Sequence, residues 1–132
     1  MTEFKTWDQY ATEAKVEPFR LPVSDEETLV FECPSGTALL RVSQGMRSGD
    51  LELILRAVVG EQWERVEQLL GGAGHKAFPA LVEDMMAHFD MYEDVPLVSP
   101  DGGKRTARRP TEIRRLLAIG YRPVGEDRAS RG

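Results

Sequence analysis

Few residues in this chain have the type and spacing to do chemistry. His75 and His88 could each bind a metal or carry a proton, but they lie 13 positions apart, with no His-x-x-x-His or Glu-x-x-His spacing. His88 follows Asp84 by one helical turn, which suits a surface pair. Cys33 would need a neighbouring base to become a nucleophile, and its neighbours are Glu32 and Pro34. Inert packing is the expectation for it. Gly71-Gly-Ala-Gly74 and Gly102-Gly-Lys104 have the glycines of phosphate loops, but neither fits G-x-x-x-x-G-K-[ST], and Arg105 follows Lys104. Turn formation explains both runs better. Glu83 and Asp84 adjoin on a helix and point in different directions, a poor arrangement for paired acid–base work. The expectation is a protein that is not an enzyme, with no catalytic residue, cofactor or metal.

Binding is better represented than catalysis. Lys104-Arg105, Arg108-Arg109 and Arg114-Arg115 form three basic pairs. Such pairs suit nucleic acid or an acidic protein partner. Tyr121 is the sole aromatic near them, thin for a single-strand binder. The charge break points the same way. Residues 1–103 carry 8 Lys+Arg against 19 Asp+Glu (8 − 19 = −11), and residues 104–132 carry 9 against 3 (9 − 3 = +6). The acidic part would repel phosphates, which counts against nucleic acid, and a solubilising face around a small amphipathic helix is the plainer alternative. Met85, Met86 and Met91 have helical spacing, which suits core packing first and an adaptable protein-binding surface second.

The elements that must position these residues follow from periodicity. Thr6 to Lys15 reads as a short helix with Thr6 as N-cap, stopped by Pro18. Phe19–Val23 and Thr28–Glu32 read as two strands around an acidic turn, the first an edge strand because of Pro22. Thr37–Met46 fits a helix or a strand, with helix preferred. Leu51, Ile54, Leu55 and Val58 predict a helix over 51–59, capped by Asp50 and closed by Gly60. A second helix from Glu61 buries Trp63, Val66, Leu69 and Leu70, and stops at Gly71–Gly74. A third runs from about Lys76 to Met91 with Pro79 in its first turn. Pro96–Ser99 and Lys104–Ala107 predict a hairpin across Pro100-Asp-Gly-Gly103. Pro110–Ile119 predicts a helix closed by Gly120, with Tyr121–Val124 returning as a strand.

The fold class expected is mainly α with a small β component (α+β): a small helical bundle, a short N-terminal β-hairpin and a C-terminal hairpin-plus-helix appendage. Composition divides the chain into an acidic body (1–93), a basic appendage (94–125) and a disordered tail (126–132). The appendage's apolar set, Leu97, Val98, Ile113, Leu116, Leu117 and Tyr121, is too small to order it alone. Docking onto the acidic body or a partner is expected, helped by opposite charge. Proteolysis at Asp90–Pro96 and after Arg105–Arg109 should then increase with salt. No apolar run reaches the roughly 20 residues of a membrane span. The polar Met1–Tyr10 and the lone Cys33 fit a cytoplasmic protein without a leader.

The stretch Ser48, Gly49, Asp50, Leu55, Gly60, Trp63, Val66, continued by Leu81 to Phe89, resembles the tail assembly chaperones of long-tailed phages that infect actinobacteria. The pattern is Gly-Asp-x-x-x-x-Leu-x-x-x-x-Gly-x-x-Trp, with Glu17-Pro18-Phe19 as a strand start. It covers about residues 4–91; Pro96–Gly125 departs from it and looks more like small phage structural or accessory proteins. The resemblance implies a non-enzymatic helical protein in the host cytoplasm. Its partners would be the tape measure protein, which it coats while the tail tube polymerises, and the tail tube protein, with self-association as a further option. In such families a longer product arises by frameshifting, for which codons around Gly102-Gly103-Lys104 are a candidate. The expected partner-binding residues are Trp63, Met85, Met86, Phe89, Arg108, Arg109, Arg114 and Arg115. A virion structural or connector protein is the alternative, and a small nucleic-acid-binding regulator the third reading.

Overall fold

Two short strands, β1 (Phe19–Pro22) and β2 (Thr28–Phe31), pair antiparallel with Phe19 opposite Phe31 and Leu21 opposite Leu29. Period-2 alternation therefore puts two aromatic and two aliphatic side chains on one face. The Phe19 and Phe31 rings stack at 6.5 Å between centroids. The acidic turn closes through the Val23 and Ser24 amides, which donate to the Glu27 carbonyl. In this computed structural model, residues 6–9 and 16–124 are described. Residues 7–9 are helical; the rest of the helix expected over 6–15, and the tail expected to be disordered, lie outside them. The chain divides into two compact units, 1–33 and 34–132. The compositional boundary at 93/94 falls inside the second, so residues 34–93 of the body share a unit with the appendage, and residues 1–33 do not.

That second unit opens with α1 (Thr37–Ser48), which resolves the helix-or-strand ambiguity in favour of helix. Gly49 ends it in the left-handed conformation at φ +66°, where the Asp50 amide reaches back to the Gly45 carbonyl. Asp50 then caps α2 (Leu51–Val59), its side chain accepting from the Leu53 amide at 3.1 Å. Leu51, Ile54, Leu55, Val58 and Val59 are all buried. Gly60 (φ +56°) breaks the helix. A 3₁₀ turn (Gly60–Gln62) leads into α3 (Trp63–Gly71), a tighter start than the continuous helix expected from Glu61. Then comes α4 (Ala77–His88), with Pro79 in its first turn as expected.

The appendage holds a three-stranded antiparallel sheet and one helix. β3 (Val95–Val98) pairs antiparallel with β4 (Lys104–Ala107), Leu97 opposite Arg105. β5 (Arg122–Pro123) pairs with β3 on its other side, Leu97 opposite Pro123. Between β4 and β5 lies α5 (Pro110–Ala118). The hairpin turn uses Pro100-Asp101, with Gly102 at φ +93° and its amide donating to the Ser99 carbonyl. α5 packs on α1 and α4, and α2 also packs on α4. Val42, Met46, Val66, Val82, Leu97 and Ile113 are at most 1% exposed, so helices and sheet share a core.

Among the described residues no helix is long and apolar enough to cross a membrane.

Candidate functional site

Trp63 opens α3 just past the Gly60 corner. Large and only half-buried, it lines a shallow groove of about 440 Å³ with Leu53, Ala57, Gly60 and two arginines, Arg41 and Arg56. Arg41 comes from α1 and Arg56 from α2. The Arg56 guanidinium carbon stands 5.0 Å from the centre of the Trp63 ring, in cation–π range. Neither guanidinium forms an ion pair with a carboxylate among the described residues. The groove thus has an apolar floor and a cationic rim. The sequence reading singled out Trp63 and missed its two arginines. The signal was available: a glycine stop after Val59 folds the chain so that the last turn of α2 meets the residue that starts α3.

The other sequence-predicted partner residues are placed elsewhere. Met85, Met86 and Phe89 are core, at 1%, 0% and 4% exposure, and present no surface to a partner. The partner-binding role expected of them is corrected accordingly: Met85 and Met86 lie on the face that α4 packs inward, and Phe89, just past its end, is buried with them. Arg108, Arg109, Arg114 and Arg115 are all exposed, on the β4–α5 connection and on α5. Arg108 sits over the Tyr92 ring at 5.9 Å. Arg114 approaches Gly49 through its backbone. Arg105, from the first basic pair, meets Glu112 at 3.4 Å. None of these lines the groove that holds Trp63.

A second polar cluster was not foreseen. Glu83 on α4 receives the Thr111 amide at 3.2 Å and the Thr111 hydroxyl at 2.7 Å on one carboxylate oxygen. Its other oxygen and its own backbone carbonyl share the Tyr92 hydroxyl at 3.0 and 3.1 Å. Burial, then the hydrogen bond to Glu83, raise the Tyr92 phenol above its ordinary value, and Arg109 pulls the other way. Glu93 plays a similar part nearby, accepting from the Ser43 hydroxyl at 2.9 Å and facing Arg47 at 3.8 Å. These carboxylates fasten elements together and leave no free acid–base pair. The clue lay in α5 itself. It begins Arg109-Pro110, without the Ser, Thr, Asp or Asn that satisfies a helix N-terminus locally, so an acceptor had to come from elsewhere.

Burial pushes the Cys33 thiol up, away from the thiolate a nucleophile requires. Among the described residues no three His, Cys, Asp or Glu side chains converge as metal ligands would.

No family model, no curated protein and no solved structure matches the chain.

Proposed function

We propose that this chain is a non-catalytic protein-binding module, and specifically a tail assembly chaperone that works in the host cytoplasm and holds a helical tape measure protein soluble while the tail tube polymerises. The observation that carries the reading is the groove around Trp63, an aromatic floor between two arginines that have no carboxylate partner among the described residues. Trp and Arg are the residues most enriched at the energetic centres of protein interfaces, and a helical client needs such a groove to receive its apolar stripe. The resemblance supports the specific form, since Gly60 and Trp63 of its pattern line the groove, and Gly49 and Asp50 make the turn between the two helices that supply its arginines. Co-expression with the tape measure protein should raise that client's solubility and bring the two through purification together. An unchanged solubility without co-purification would refute the reading.

A virion connector is favoured by a different observation. β4 is an edge strand whose Lys104, Arg105 and Thr106 are exposed, beside the exposed arginines of α5, and so could dock an acidic neighbour in the particle. Mass spectrometry of purified virions separates the two, because a chaperone is absent from the finished particle and a connector is retained.

A further inference from the structure

We infer that the Arg41–Arg56–Trp63 groove selects an acidic amphipathic helix, one that sets an apolar side chain on the Leu53–Ala57–Trp63 floor and carboxylates against the two guanidinium groups. The inference rests on the binding role proposed above and adds the charge and conformation of the client segment. Three observations carry it. First, the charged residues lining the groove are both cations, whereas residues 34–132 carry 14 Lys+Arg and 14 Asp+Glu (14 − 14 = 0). A groove with two bases and no acid is a local departure from a balanced unit. Second, the bases are free of intramolecular carboxylates among the described residues, although Glu52 stands one helical turn before Arg56. Third, Arg56 lies over Trp63. A guanidinium at this distance from an indole ring still has N–H groups to give a carboxylate, so the pair can offer an apolar contact and an anion-binding contact side by side. The floor is built from α2 and the first residue of α3, with Arg41 of α1 at its edge, and a further helix finds ridges and grooves to match on such a helical surface.

The test uses the full chain carrying Trp7→Phe, so that Trp63 is the sole indole. Two designed helical peptides serve as probes, with identical leucines at i, i+4 and i+7 and either glutamates or lysines flanking them. The glutamate peptide should shift Trp63 emission with an affinity at least about tenfold above the lysine peptide, a difference of about 1.4 kcal/mol. The preference should shrink as salt rises. The double variant Arg41→Glu/Arg56→Glu should reverse it. Because the two peptides are compared on one protein, the first result does not depend on how any arginine variant folds. Equal binding of both peptides, or no change at Trp63, overturns the inference. So does a concentration-dependent dimer that Arg56→Glu abolishes, because the occupant would then be a second copy. Client solubility rescued undiminished by the double variant would leave the chaperone reading standing and sink the groove assignment. Glutamate-peptide binding without any client rescue would do the reverse.

Discussion

Glu83 closes the N-terminus of the helix that begins 27 residues later, by accepting both the amide and the hydroxyl of Thr111. A carboxylate at that end also meets the positive pole of the helix dipole. A hydrogen bond to a charged group contributes about 1.5–3 kcal/mol, and partial exposure puts this one at the lower end. Glu83→Ala should therefore destabilise by about 1–2 kcal/mol, and Thr111→Val by less, since the amide bond survives. In urea denaturation the double variant should lose less than the sum of the two. Strict additivity would show that the two residues do not act together.

Tyr92 should make stability fall at alkaline pH. Its phenol is raised in the folded state, by burial first and by the bond to Glu83 second. The folded protein thus holds the proton more tightly than the unfolded chain does. The stabilisation is complete below the ordinary phenol value of about 10. It is lost as pH rises through the higher folded value. Tyr92→Phe should flatten the alkaline limb of a stability-against-pH curve. Parallel limbs in the two proteins would show that this proton is not coupled to folding.

Asp90→Gly should stabilise. At the end of α4 the Met91 amide donates to the Met86 carbonyl and the Asp90 amide to Ala87, with Asp90 at φ +51°. The ends of α1 and α5 make the same pair of bonds around Gly49 and Gly120. A side chain in the left-handed region costs about 1–2 kcal/mol. Glycine loses more entropy on folding, and the net gain expected in thermal unfolding is about 0.5–1 kcal/mol. A lowered melting temperature would mean that the Asp90 carboxylate stabilises more than its backbone costs.

Gly49→Ala should do the opposite, and strongly. Beyond φ +66°, a Cβ there would lie 2.7 Å from Arg114 Cα, and backbone cannot swing aside as a side chain can. Left-handed strain adds to overpacking of about 1–3 kcal/mol, for an expected loss of about 2–4 kcal/mol. Arg114→Ala should not rescue it, because the clash is with main chain. Rescue by that substitution would place the contact on the side chain instead.

These glycines also mark how far the sequence could be read. Helix ends and strand limits were legible because their signals are local: Asp50 before an apolar repeat, Gly60 and Gly120 after one, Pro100-Asp-Gly between two strands. Gly49 entered only as a member of the Ser48-Gly49-Asp50 stretch. Its structural role was not legible, because the close approach to Arg114 spans 65 positions of chain. The same holds for Glu83 as the cap of α5 and for Arg41 beside Trp63, both tertiary relationships. Met85 and Met86 carried a signal with two meanings, and only the packing of α4 decides between core and surface. Trp63 was singled out by residue type, and one of its two arginines, Arg41, came from a helix whose existence was itself ambiguous.

The means of holding the appendage differs from the charge-assisted docking expected, and this yields a last prediction. Among the described residues, no base of 94–124 forms an ion pair with an acid of 34–93; Arg105 instead pairs with Glu112 inside the appendage. Beside the Glu83–Thr111 hydrogen bonds and the Arg108–Tyr92 contact, what joins the two parts is an apolar core. Val95, Leu97, Ala107, Ile113 and Leu116 are buried, and α5 lies on α1 and α4. Each of these side chains other than Ala107 contributes about 1.5–3 kcal/mol on full burial, an interaction that ordinary salt does not screen. Cleavage in the Asp90–Pro96 connection should therefore stay nearly constant as salt is raised through the range where the screening length falls from about 30 to 8 Å. Ile113→Ala, at a cost of about 2–5 kcal/mol, should accelerate cleavage at every salt concentration. Cleavage that climbs with salt in the wild-type protein, with Ile113→Ala no different from it, would restore charge as the force that holds the appendage in place.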